Sequence, residues 1–367
     1  MENKIKPIAI YLPQFHPIPE NDEWWGEGFT EWTNVKKAKP LFKNHNQPVI
    51  PGELGYYDLL KTEGIQQKQA ELAKENGIYG FIYYQYWFGD GKMLLEKPAE
   101  NMLENKDIDL PFCFCWANET WRGIWHGIDD AKKILAEQKY LGKEDYTNYF
   151  NYVLPFFKDD RYIKIDNKPF FVIYDPVAVP QEFMEIFEKL AKENGFDGIY
   201  FVASNRSGNH IDYAAKNFDA KISGDYNMLL NEELDDSRIV KLKNLIMEKV
   251  IGKKSIRKID YAKFFKSLVY TNSNVETYPM LLPNWDNSPR SKEKGFLFTN
   301  SSPENFAHEV KKAVTFANNN LDKNKFVIIK SWNEWAEGNH LEPCQKWGNA
   351  YLKQLKDQLE QFDRNTK

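Results

Sequence analysis

A chain of 367 residues with 53 acidic and 49 basic side chains, net charge −4, has no basic excess with which to hold nucleic acid or an anionic membrane surface. No run approaches the roughly 18 apolar residues of a membrane span, and three cysteines without metal-ligand spacing exclude a disulfide scaffold or a zinc cluster. Aromatic residues make up 15% of the chain, an excess that suits stacking on the apolar faces of sugar rings and equally suits an ordinary core.

The N-terminus carries two lysines before an apolar run that stops at Pro13. That run is shorter than the roughly 7 to 15 apolar residues of a secretory leader, so the expected setting is reduced and cytoplasmic; a chain whose leader had been removed would read the same. Short apolar runs then recur at 7–12, 80–86, 111–116, 169–174, 199–203, 220–223, 278–282 and 326–330. Between them lie stretches of helical periodicity, such as 64–75 with Ile65, Ala70, Leu72 and Ala73, and 180–193 with Phe183, Ile186, Phe187, Leu190 and Ala191. Strand alternating with helix predicts an α/β parallel sheet, and eight repeats predict a (β/α)8 TIM barrel, here one catalytic domain over 1–367 with long loops at its C-terminal face. The sixth run is short, which leaves a seven-stranded or doubly wound sheet as the alternative. Of two long connections, 89–110 and 227–275, the second is rich in Lys and Leu and is expected to be a helical insertion, with the basic segment 249–258 a solvated helix face.

In a barrel the chemistry belongs at the C-terminal ends of the strands. The first run ends in Tyr11, Gln14 and His16, followed by a loop holding Trp24, Trp25, Glu31 and Trp32 that would be costly to expose without a ligand or neighbour. The second ends in Tyr83, Tyr84, Tyr86 and Trp87, and the third in Trp116, Asn118, Glu119 and Trp121. Later runs add Tyr174, Asn205, Arg206, Asp225 and Tyr226, then Asn284, Trp285 and Asp286. Stacking is expected from Trp32, Tyr84, Trp87, Trp116 and Trp332. Asp286 reads either as a sugar-hydroxyl ligand or as an Asx turn before Pro289.

The last run leads into Trp332, Asn333, Glu334, Trp335 and Glu337, with Gly338 closing the turn. Side chains three apart on a helical turn are neighbours roughly 5 to 6 Å apart, so Glu334 and Glu337 can address one small molecule; a solvated helix start is the plainer reading of the same residues. Glycosidases that retain configuration hold their carboxylates at a similar separation, about 5 to 5.5 Å. His16, His126 and His340 can each be a substrate contact or a structural histidine. No histidine or carboxylate cluster has metal-ligand spacing and no phosphate loop opens a helix, so neither metal nor cofactor is expected.

The segments YLPQFHPIPENDEWWGEGFTEWTNV, YYQYWF, CWANETW, LPNWDNSPR and WNEWAEGNHLEP resemble the signatures of the WbsX family, proteins similar to glycoside hydrolase family 99 and associated with bacterial polysaccharide loci. The resemblance spans residues 8–343. It implies a (β/α)8 fold, a carbohydrate substrate and no metal. It also implies retaining cleavage of an α-linked sugar of manno or rhamno configuration through a 1,2-anhydro intermediate. In that scheme Glu334 takes the proton of the sugar 2-hydroxyl, while Glu337 protonates the leaving oxygen and then activates water. The residues permit two other schemes: a retaining pair of Glu119 as acid and Glu334 as nucleophile, or a sugar-nucleotide-dependent transferase, the activity in the family's older name. The single DxD, Asp107 to Asp109, precedes a strand instead of following one. A binding protein without catalysis is the third class.

Overall fold

Apolar, β-branched and aromatic runs form parallel strands in the computed structural model, which describes residues 4–123, 133–204, 211–224, 229–230 and 256–365. The strands are β1 (Lys6–Tyr11), β2 (Gly80–Trp87), β3 (Phe112–Trp116), β4 (Lys168–Ile173), β5 (Tyr200–Ala203) and β6 (Ala220–Ile222), then β7 in two pieces (Glu276–Tyr278 and Met280–Leu281), and β8 (Phe326–Ile329). Each pairs in parallel with the next, and β1 pairs with both β2 (Ile8 opposite Gly80) and β8 (Lys6 opposite Phe326). The first piece of β7 pairs with β6 and the second with β8, so the sheet closes through one interrupted strand. The break falls at Pro279, which has no N–H to give; its carbonyl still accepts from the Ile328 amide at 2.9 Å. The short sixth run is therefore a full stave, and the barrel, not a doubly wound sheet, is the fold.

Side chains alternate between the barrel interior and the surrounding helices, because successive residues of a strand face opposite ways. The helix-facing set packs against amphipathic helices: Phe183, Met184, Phe187 and Ala191 of Gln181–Glu193 are buried, as are Phe306, Val310, Ala313, Val314 and Ala317 of Pro303–Asn320. Near the strand N-termini, Phe170, Tyr278 and Phe326 meet with ring centroids 5.4 to 5.9 Å apart and plug the interior. The opposite end is left for a cleft.

The insertion expected over 227–275 falls largely outside the described residues, as does most of 249–258. Where that basic segment is described it is not a helix: Arg257–Asp260 is a strand paired with Phe296–Thr299, followed by the helix Tyr261–Ser267, which Asp260 caps by accepting from the Lys263 amide. The three cysteines are free and buried.

Candidate active site

The cleft, about 680 Å³ including its open mouth, is lined by Leu12, Gln14, Tyr84, Tyr86, Ala117, Glu119, Trp121, Tyr174, Arg290, Lys330, Glu334 and Glu337. Strand parity explains the set. Tyr84 and Tyr86 keep the inward-facing alternation in the last residues of β2, and Leu12 and Gln14, Ala117 and Glu119, Tyr174 and Lys330 continue that of their strands beyond the C-terminal ends.

The same rule removes several expected contacts to the other face. Tyr11 points outward and donates to Gln69 on the helix Ile65–Glu75 at 2.8 Å. Trp87 stacks on Tyr149 with centroids 4.9 Å apart and donates to Asp145, and Trp116 packs on Phe183 and donates to the Trp87 carbonyl. Asn118 ties the end of β3 to the end of β4, accepting from the Asp175 amide at 2.7 Å and donating to its carbonyl at 2.9 Å. These four do not line the cleft.

Nor do the tryptophans beside the carboxylate pair. Trp332 is wholly buried against Phe81, and Trp335 lies between Trp32 and a stacked His340, donating to Glu342 at 2.6 Å. Trp32 itself is core, donating to the Tyr57 carbonyl. His16 is buried, and burial pushes its pKa down to about 4, so it is a neutral core histidine. Trp285 stacks on Phe296, with the Lys330 ammonium 5.4 Å from its ring centre. Asp286 resolves as the Asx turn: it accepts from the Ser288 amide at 3.0 Å and from His45 and Gln47, anchoring the loop after β7. Asn205, Arg206, Asp225, Tyr226 and His126 lie outside the described residues. The aromatic wall that does face the cleft is Tyr84, Tyr86, Tyr174 and Trp121, the last edge-on to Tyr86 and Trp24.

Glu334 and Glu337 sit on a tight turn. Asn333–Glu334 pairs with Asn339–His340 as a two-residue ladder, Trp335–Glu337 makes one 3₁₀ turn, and Gly338 reverses the chain at φ 62°. Side chains three apart eclipse on a 3₁₀ turn, which puts both carboxyls on the cleft side. Three contacts lock the turn to β1 and its following segment: Asn333 accepts from the Leu12 amide at 2.7 Å and donates to the Leu12 carbonyl at 3.0 Å, and Glu31 accepts from the Ala336 amide at 2.9 Å.

Two cations that sequence reading passed over hold the carboxyls. Lys330 donates to Glu334 at 2.6 Å and to Glu337 at 3.4 Å. Arg290 donates one nitrogen to Glu337 at 2.7 Å and another to Glu31 at 2.8 Å. The signal for Lys330 was present: it is a single cation two positions beyond an inward-facing isoleucine, Ile328. Arg290 is visible in the chain only as the last letter of LPNWDNSPR; its reach to Glu31, 259 positions away, is a product of the fold.

Burial pushes Glu334 well above the usual carboxylate range, and the neighbouring Glu337 pushes the same way, with Lys330 opposing. Burial also opposes ionisation of Glu337, but Lys330 and Arg290 together outweigh it and hold Glu337 low. Two carboxyls in contact cannot both ionise cheaply, so they share a proton. Glu31, deeply buried, is raised by desolvation against the pull of Arg290. Gln14 is nearly fully buried in the wall, and its Nε2 has no hydrogen-bond partner among the described residues. Among the described residues no group of His, Cys, Asp and Glu is arranged to share a metal ion, and no helix is long and apolar enough to cross a membrane.

The fold is similar to solved structures at 14% identity. It resembles the GH99 endo-α-mannosidase of Bacteroides thetaiotaomicron in complex with bis-tris-propane, TM-score 0.60, covering 98% of each chain. A second structure of the same enzyme has TM-score 0.57 with the same coverage, and a protein described as glycoside hydrolase-like has TM-score 0.57, covering 98% of this chain and 94% of that one. Two Xanthomonas campestris pv. campestris proteins, each named only as uncharacterized protein WxcX, are 34% identical over 349 residues, 94% of this chain. The chain spans 48% of the length of these relatives. A family profile described as Glycosyltransferase WbsX matches residues 7–355, nearly the whole chain, and the protein belongs to the WbsX family.

Proposed function

We propose that the protein is a glycoside hydrolase acting on an α-linked sugar of manno or rhamno configuration in a bacterial polysaccharide or oligosaccharide. The observation that carries the reading is the Glu334/Glu337 pair, the first buried and the second partly so, at the C-terminal end of a (β/α)8 barrel, facing an aromatic-walled cleft and sharing one ammonium. A pair holding one proton has both halves of acid–base catalysis in place. One carboxylate accepts the proton of the sugar 2-hydroxyl as O2 attacks C1. The other gives its proton to the departing oxygen as the C1–O bond breaks, leaving a 1,2-anhydro sugar. Water then opens that ring at C1, giving a proton to the carboxylate that donated one, while the other returns its proton to O2. Two displacements at C1 give retention. Tyr84, Tyr86, Tyr174 and Trp121 supply ring faces for the sugar, and Gln14 a hydroxyl contact.

A second reading has an observation of its own: Glu119 lines the same cleft, so a Glu119/Glu334 pair is the alternative for a double displacement through a covalent glycosyl-enzyme. The transferase reading draws less support. Asp107 and Asp109 lie at the entrance of β3, the end away from the cleft, and Asp109 is exposed and paired with Lys74. The test is a screen of α-manno- and α-rhamno-linked glycans with NMR of the first product. Release of an α-anomer, abolished in Glu337→Gln but kept within about tenfold in Glu119→Gln, supports the adjacent pair; an acid–base residue is worth about 10² to 10⁴ in rate. Release of no sugar from any glycan, together with calorimetric binding of a nucleotide sugar, would reverse the ordering in favour of transfer.

A further inference from the structure

We infer that Glu342, a buried acid that no step of the proposed chemistry uses, is the positioning residue of the catalytic turn, its carboxyl holding both neighbours of Glu334 from behind the cleft. The inference deepens the proposed function and rests on it for its catalytic consequence.

Glu334 is flanked by Asn333 and Trp335, and each flank runs back to Glu342. Trp335 does so directly, its indole N–H donating to Oε2 of Glu342 at 2.6 Å. Asn333 does so through one intermediary: it donates to the Tyr57 hydroxyl at 3.3 Å, and that hydroxyl donates to Glu342, 3.0 Å from Oε2 and 3.2 Å from Oε1. The carboxyl is itself moored to the flank of the barrel. Gln69 of the helix Ile65–Glu75 donates to Oε1 at 2.7 Å, and the Gln69 side-chain oxygen accepts from Tyr11 of β1. The main chain of Glu342 adds two more ties. Its amide donates to the Trp332 carbonyl, and its carbonyl accepts from Nδ1 of His340, whose ring lies flat on Trp335 with centroids 3.7 Å apart.

Glu342, Gln69, Tyr57 and Trp335 are each at most 3% exposed. A carboxyl is costly to bury, and an apolar side chain of similar size would fill this space without that cost. What the carboxyl adds is direction: two oxygens take three neutral donors from three separate segments, a geometry that an alkyl side chain cannot impose. Glu342 does not line the cleft, so it acts through the residues it holds. Misplacing a catalytic group by about 1 Å costs up to about 10²-fold in rate. Release of the two flanks is therefore expected to fall on kcat, while the sugar-binding wall, carried by other strands, keeps KM.

The test compares four variants. E342L removes both oxygens. E342Q turns one of them into a donor that faces a donor. E342Q/Q69E exchanges amide and carboxyl, restoring a donor–acceptor pair there and leaving an oxygen for Trp335 and Tyr57. E309Q is the control, since Glu309 is equally buried but lies away from the turn. The first readout needs no substrate: the Trp335 indole ¹⁵N–¹H resonance, assigned by its loss in W335F, is held downfield by the bond to the carboxyl. It should move upfield in E342L and E342Q, return in E342Q/Q69E and stay put in E309Q. The second readout is kcat and KM on a cleaved α-linked glycan. E342L is expected to lower kcat about 10- to 100-fold with KM within about twofold of the parent, E342Q to lower it less, E342Q/Q69E to regain most of the loss, and E309Q to match the parent. If E342L does not fold, E342Q and its double variant carry the same test. An indole resonance unmoved in every Glu342 variant overturns the inference, as does a moved resonance with kcat within about threefold of the parent. A fall in kcat that E309Q shares also overturns it, because that reports a general loss of stability. Absence of any hydrolysis in the parent would sink the proposed function and the catalytic consequence with it, while the indole resonance would still decide whether Glu342 holds the turn.

Discussion

Asn333 offers the sharpest test of how the site is held. Its amide is wholly buried and closes both backbone groups of Leu12, accepting from the N–H at 2.7 Å and donating to the C=O at 3.0 Å, with a weaker bond to the Tyr57 hydroxyl at 3.3 Å. Replacing it by Ala strands a buried donor and a buried acceptor, each costing about 1 to 3 kcal/mol, so the sum is about 2 to 6 kcal/mol. Unfolding entropy near 2.1 cal/mol/K per residue over a chain of 367 residues makes each kcal/mol worth roughly 1.3 °C, so a loss near 4 kcal/mol lowers the thermal midpoint by about 5 °C. Asn333→Asp keeps the acceptor for the Leu12 amide but sets an oxygen against the Leu12 carbonyl, and should lose at least as much. Thermal unfolding followed by circular dichroism measures this, with Asn319→Ala on an exposed helix end as the reference. A midpoint for Asn333→Ala within about 1 °C of the parent would refute the claim that this clamp stabilises the junction between the Glu334–Glu337 turn and the segment after β1.

Glu309 predicts a pH dependence of stability. It is buried, accepts from the Leu282 amide at 2.8 Å and from the Tyr261 hydroxyl, and burial raises it to about 8 from 4.5. The folded state binds its proton more tightly than the unfolded state, so its contribution to stability falls as pH rises from about 4.5 to about 8. Urea midpoints of the parent relative to Glu309→Gln should therefore drop between pH 5 and pH 8, and parallel curves would contradict the assignment. Gly338→Ala should lower both stability and turnover. A Cβ there would meet the Asp286 backbone nitrogen and Cβ at 2.9 Å at a φ of 62°, on the turn whose Glu337 carbonyl accepts from that same Asp286 amide. Unchanged activity in that variant would mean that the turn tolerates displacement. Treatment with EDTA should leave hydrolysis unaltered, and a chelator-sensitive rate restored by a divalent cation would contradict the metal-free chemistry.

The barrel was legible because its signal is local and repeated. Each stave is a short apolar run bounded by polar residues, and even the weak sixth, Ala220–Ile222, was placed within a residue. The interrupted seventh stave shows where such a reading coarsens. Pro279 sits inside a run that otherwise reads as one strand, and only the two separate pairings, to β6 and to β8, show that the chain needed a break there. The site was legible in outline for a similar reason, since strand ends can be lined up by eye. Choosing among the residues at those ends required parity. Tyr84 and Tyr86 face the cleft while Trp87 faces Tyr149, and Glu119 faces it while Trp116 and Asn118 do not. Tryptophans flanking an acidic pair suggested stacking platforms, but Trp332 and Trp335 are the hydrophobic bed on which the turn rests.

By itself the sequence determined the alternation of strand and helix, the strand whose end carries the acids, and the spacing that eclipses Glu334 and Glu337 on one turn, because all of these depend on neighbours within a few residues. Only the tertiary structure decided what surrounds the pair. Glu337 is held by Arg290, and Arg290 by Glu31, which stand 259 positions apart in the chain and 2.8 Å apart in space, and no periodicity encodes a contact of that kind.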